Sequence, residues 1–155
     1  MKTSFVAIAL SFAGAALASP SMRRQAPNHL YNIGGISLKH LTEAPQGWDV
    51  RFDLTQRDID GVAQFSTTCR TSWPENAPLT GPENTVACAS ADYSFFFQDA
   101  VSPESYTIVV NTPDGQLSTQ VATGPRYECG PYEGTIAGVD TECRAINGGQ
   151  WYLTA

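Results

Sequence analysis

Two histidines, fifteen carboxylates and four cysteines are the groups with which this 155-residue chain could build acid–base, nucleophilic or metal chemistry. Proton transfer near neutral pH usually runs through histidine, whose charge changes in that range. Only His29 and His40 are available. His29 falls in a polar stretch, Gln25 to about Tyr31, expected to be weakly ordered, and His40 in Leu38-Lys39-His40-Leu41 fits a strand surface position. A ribonuclease with paired catalytic histidines is disfavoured. So are Ser-His-Asp and Cys-His nucleophile sets, because histidine is scarce and the cysteines are expected to be oxidised.

Paired carboxylates could hydrolyse glycosides, and Asp49 and Asp53 fall on one face of an alternating segment. Positions four apart on a strand lie ~13 Å from each other, beyond either separation used by glycosidases. Arg51 between them reads as part of an ionic surface. Asp58-x-Asp60-Gly61 hints at a calcium loop but lacks the twelve-residue ligand pattern and its terminal glutamate, so it reads as a turn. Gly34-Gly35 and Gly148-Gly149 are turn or bulge glycines without a phosphate-cradling pattern. No catalytic residue, metal ligand or cofactor is expected.

Cys69, Cys88, Cys129 and Cys143 lack C-x-x-C spacing, and both histidines are far upstream, which favours disulfides over zinc. Three pairings are formally open. Cys69–Cys88 with Cys129–Cys143 is favoured, since each pair brackets a loop carrying proline or glycine. Trp73, Trp151 and Tyr152 are weak candidates for a ligand site at the mouth of a barrel. As core caps they would instead be structural.

The elements that must position these groups are strands. Trp48 to Leu54 alternates apolar and charged residues, with Trp48, Val50, Phe52 and Leu54 inward, and Gly61 to Cys69 completes a hairpin. Ser72 to Asn84 holds three prolines and reads as a loop. Strand signals return at Tyr93–Phe97 and at Tyr106–Val110, the second joined through Pro113-Asp114-Gly115 to an alternating run ending at Thr123. Short segments follow at Arg126–Cys129, Gly134–Gly138, Thr141–Ile146 and Gln150–Thr154. This pattern predicts an all-β domain: a small disulfide-stapled antiparallel barrel or sandwich of eight or more short strands.

At 42% hydrophobic and 15% charged residues, the chain has the composition of one globular domain. Met1-Lys2, the apolar run Phe5–Leu17 and the triplet Ala16-Leu17-Ala18 predict a signal peptide over residues 1–18. The run is too short for a bilayer-spanning helix. Residues 19–24 end in Arg23-Arg24, as a propeptide closed by a dibasic site would, leaving residues 25–155 as the single domain. That domain keeps six bases against fifteen acids, a net charge of −9, with Lys39 its sole lysine. Such a surface repels nucleic acid and anionic membranes. No Asn-x-Ser/Thr acceptor is present, since Asn84-Thr85-Val86 and Asn111-Thr112-Pro113 fail at the third position.

Taken together, the leader, the Trp48-x-Val50-x-Phe52-x-Leu54 strand, Cys69 followed by Trp73, Cys88 before Tyr93–Phe97, and Tyr127-x-Cys129 with a late Cys143 resemble one known family. It is a fungal family of small secreted proteins related to the Alternaria major allergen, and the resemblance covers about residues 31–155. The resemblance implies a β-barrel with the two local disulfides, acting outside the cell as an allergen, elicitor or effector. A plant defence protein or a small phenolic ligand would be the partner. The allergen dimerises through an additional N-terminal cysteine. Nothing before Cys69 is a cysteine, so no disulfide-linked dimer is expected. The alternatives are a small secreted cell-wall hydrolase working through paired carboxylates and a wall-structural protein.

Overall fold

A computed structural model describes residues 29–75, 80–99 and 102–155. The signal-peptide and propeptide segments lie outside the described residues. Among the described residues there are ten antiparallel strands: β1 Leu30–Leu41, β2 Gly47–Arg57, β3 Ala63–Pro74, β4 Val86–Ala87, β5 Ser94–Phe97, β6 Ser105–Thr112, β7 Gly115–Ala122, β8 Tyr127–Pro131, β9 Val139–Ala145 and β10 Gln150–Tyr152. They form two sheets. One runs β3-β2-β1-β9-β8 with β10 also on β1, and the other runs β4-β5-β6-β7. Of the two expected forms the sandwich is the one present, because the hydrogen-bonded ladders do not close into a barrel.

The sheets are stitched at their margins. On one side Ser118 and Thr154 exchange two backbone hydrogen bonds, of 2.7 and 2.9 Å. On the other, the Ala89 N–H donates to the Thr68 carbonyl at 2.8 Å, beside the Cys69–Cys88 disulfide. The second disulfide joins Cys129 to Cys143, which face each other across β8 and β9. Both pairings match the expected local ones. They place the folded chain in an oxidising environment.

The alternation expected for Trp48–Leu54 is realised: Val50, Phe52 and Leu54 are fully buried and Trp48 packs on the core from its rim. From the second sheet, Phe95, Phe97, Tyr106, Ile108, Val110, Leu117 and Val121 meet them. The Pro113-Asp114 turn closes the β6–β7 hairpin at the expected position. Three expectations need correction. The chain from Leu30 is a strand, not a loose tail, and Tyr31 is buried. A bulge at Gly35–Ile36 sets the inward residues Ile33 and Ile36 three apart and breaks the period of two. Gly35 takes a left-handed φ of 60°, where a side chain is strained. Next, β3 continues through Trp73 and Pro74 into the segment expected to be a loop. It is an edge strand, where proline costs no ladder bond. Finally, Gly134–Gly138 forms no strand, and Gly138 turns the chain with φ 72°.

Candidate functional site

Side chains alternate along strands, so those pointing away from the core line up in rows across the first sheet. One row reads Arg70, Arg51, Ser37, Arg144, Glu128, and the next reads Ser72, Asp49, Lys39, Glu142, Gly130. Four of the six bases from Gln25 onward therefore share one face. Arg70 donates from Nε to Asp49 Oδ2 at 3.1 Å, and its Nη2 also lies 3.1 Å from that oxygen. Glu142 accepts from Ser37 Oγ at 2.8 Å and sits 3.7 Å from Lys39 Nζ. Arg144 stands 3.6 Å from Glu128 and 3.9 Å from Glu142. Exposed pairs of this kind each contribute about 0–1 kcal/mol, so the lattice shapes a surface more than it stabilises the fold.

Two shallow grooves open on this face. One, of about 220 Å³, places Glu128, Glu133 and Glu142 around Arg144. The other, of about 260 Å³, is lined by Lys39, Arg51 and Arg70 with Asp49 among them, and by Leu41, Ile136 and Val139 as an aliphatic wall. Asp49 and Asp53 are not combined into a catalytic pair: Asp49 is held by Arg70, and Asp53 accepts from Thr68 Oγ1 at 2.8 Å. Arg51, which lies between them on the exposed face, makes no ion pair among the described residues. The Asp58 turn is present as expected. Its carboxylate accepts the N–H groups of Asp60 and Val62 and the Gln64 amide. No cluster of three potential metal ligands occurs among the described residues.

A third groove, of about 210 Å³, opens at the end of the first sheet between Trp48, Trp73, Pro45 and Pro74. Beside it the His40 ring rests on Trp48 with centroids 4.7 Å apart. Its Nδ1 is 2.7 Å from Asp140 Oδ1, and this hydrogen bond holds the Asp140 carboxyl below its ordinary range. Its Nε2 faces Glu75 at 3.8 Å and not a hydroxyl or thiol. A His–Asp pair without an attached nucleophile does not form a triad.

Trp73 and Trp151, weak candidates for ligand contacts or else core caps, are opposite ends of one chain of rings. Trp73 meets Phe97 at 5.4 Å, Phe97 meets Tyr106 at 5.6 Å, Tyr106 meets Tyr127 at 6.0 Å, and Tyr127 meets Trp151 at 6.2 Å. Trp73 is buried, Trp151 is half-buried, and Tyr152 faces solvent. Within this chain the Tyr106 hydroxyl donates to Tyr127, which donates to the Pro103 carbonyl, both at 3.2 Å. Burial pushes the Tyr127 phenol up to about 12 and Tyr106 well above its usual value, so both stay protonated donors.

His29 is tied down, contrary to expectation. Its Nδ1 lies 2.9 Å from Asp114 Oδ2, and the same oxygen accepts the Tyr31 hydroxyl at 2.8 Å. These two bonds, His29 first, lower the Asp114 pKa, while burial and then Asp114 raise that of Tyr31. A carboxylate depressed in the fold stabilises fully above its unfolded value, about pH 4, and that stabilisation fades as pH falls through the folded value. Asp114→Asn should therefore melt below wild type at neutral pH, with the two curves converging in acid. Melting temperatures that differ by a constant amount down to about pH 2.5 would show that the Asp114 charge contributes nothing.

The basic groove combines residues from β1, β2 and β3 with the β8–β9 loop. Alternation in Asp49-Arg51-Asp53 marks Arg51 as outward in the sequence, but only the strand register sets Arg70 directly opposite. Compared with known proteins, the chain matches no family model, no curated protein and no solved structure, so this geometry carries the functional argument.

Proposed function

We propose that the chain is a secreted, non-enzymatic protein of the fungal allergen, elicitor or effector type, acting in the extracellular space of a host by binding a host protein. The supporting observation is a filled aromatic core flanked by shallow grooves of 210–260 Å³, two of them lined by charged side chains. Sites that bury a small molecule usually run to about 300–1,000 Å³. Broad, shallow charged relief suits a protein surface better than a phenolic ligand. The two disulfides fit an extracellular working place.

Infiltrating the chain from Gln25 onward into plant leaf tissue should raise a defence response, and the immobilised protein should retain a partner from apoplastic fluid. No response, no retained partner and no effect of deletion on infection would together overturn the reading.

The groove ringed by Glu128, Glu133 and Glu142 is what a cell-wall hydrolase would draw on. A glycosidase keeps one carboxyl protonated in apolar surroundings, whereas Arg144 lies between Glu128 and Glu142, and Lys39 also approaches Glu142. Release of reducing sugar from wall glycans, abolished by Glu142→Gln, would favour the hydrolase.

A further inference from the structure

We propose that the groove over Arg51 and Arg70 is the partner-binding site, and that it takes an acidic side chain with an aliphatic neighbour from a segment of the host protein. The inference rests on the protein-binding reading above.

Arg51 and Arg70 are direct cross-strand partners on the exposed face. Like charges in that position oppose each other. Arg70 is partly neutralised by Asp49, but Arg51 joins no ion pair and makes no side-chain hydrogen bond among the described residues. Its planar fork of donors is therefore available in a chain that is otherwise strongly acidic. A guanidinium of this kind selects carboxylates through two parallel hydrogen bonds. Lys39, in the adjoining row, lines the same groove with its charge partly met by Glu142 at 3.7 Å, which leaves Arg51 as the one cation there without an acidic partner among the described residues.

The wall determines the rest of the ligand. Ile136 is 53% exposed and lines the groove with Leu41 and Val139. An aliphatic side chain beside the bound carboxylate would cover it. No aromatic ring lines this groove, so it offers no platform for stacking a sugar or a base. A volume of about 260 Å³ accommodates one or two side chains. The protein's own β2–β3 turn, Asp58-Ile59-Asp60, carries related chemistry with Ile59 79% exposed, so a second copy is the competing occupant.

The test uses the chain from Gln25 onward and a fluorescent hexapeptide with a central glutamate–leucine pair, read by anisotropy at low salt. Saturable binding is expected. Arg51→Gln, or glutamine in place of the peptide glutamate, should weaken it about tenfold, the scale of one charge-assisted pair. Arg51→Lys should recover part of the loss, and Arg126→Gln, outside the groove, should match wild type. Absence of saturable binding, equal affinity for the glutamine peptide, or an unchanged Arg51→Gln variant would overturn the site. Sedimentation showing self-association that Arg51→Gln abolishes would assign the groove to a second copy and overturn the host occupant. Capture of a host protein by wild type and Arg51→Gln alike removes this site and leaves the protein-binding reading standing. Capture by neither removes that reading, and the host-protein occupant with it.

Discussion

Phe95→Ala is expected to cost about 3–5 kcal/mol, a large part of the roughly 5–15 kcal/mol that holds a domain of this size. Phe95 is fully buried on β5, and its ring meets Phe52 edge-on at 4.9 Å and Phe97 at 5.9 Å. Phe52 belongs to β2 in the opposite sheet, so this one side chain bridges both halves of the sandwich. Truncation removes the transfer energy of the ring and leaves a cavity walled by residues already committed to strand pairing, which limits collapse. Phe95→Leu retains most of the volume and should lose less than about 1.5 kcal/mol if neighbours repack. Urea unfolding of both variants measures this. A loss below about 1 kcal/mol for Phe95→Ala would mean that the two sheets do not depend on this ring.

The strands most legible in the sequence are those whose pattern is set locally. Trp48–Leu54 alternates without interruption because β2 lies flat between two neighbours, and Pro113-Asp114 closes β6 onto β7 within a few residues. β1 was harder to read because it changes partners along its length, from β10 at Asn32–Gly34 to β9 at Ser37–Leu41. The Gly35–Ile36 bulge that accompanies the change spoils the alternation. Similarly, Trp73-Pro74 resembles a loop until β3 is known to be an edge, a property that belongs to the whole sheet.

Site residues followed the same division. Each arginine's outward direction can be inferred from its own strand, but the pairing of Arg51 with Arg70 depends on the β2–β3 register, and Ile136 reaches the groove from the distant β8–β9 loop. Periodicity within one strand carries no information about such meetings. The tie between His29 and Asp114 spans 85 residues and was equally hidden. What composition does convey is scarcity: of the six bases from Gln25 onward, four gather on one face, interleaved with Asp49, Glu142 and Glu128.

Loss of the Cys69–Cys88 link, by replacing both residues with alanine, is expected to cost about 3 kcal/mol and to open the sandwich at one margin. The loop it closes spans 19 residues and that of Cys129–Cys143 spans 14. In the chain-entropy account this difference is worth only a few tenths of a kcal/mol, so the two links should matter almost equally to global stability. Their positions differ. Cys129 and Cys143 staple two strands that already share a full ladder, whereas Cys69 and Cys88 hold one sheet to the other where the Ala89–Thr68 hydrogen bond is the adjoining backbone tie. Both double-alanine variants should therefore lose similar free energy in urea. Only the Cys69/Cys88 variant should lose amide exchange protection at Ala89 and along Val86–Ala87 under native conditions, since local opening there no longer has a covalent limit. Protection at Ala89 that survives in that variant would show that the β4–β5 pairing and the packing of Val86 on the core close this margin without the disulfide.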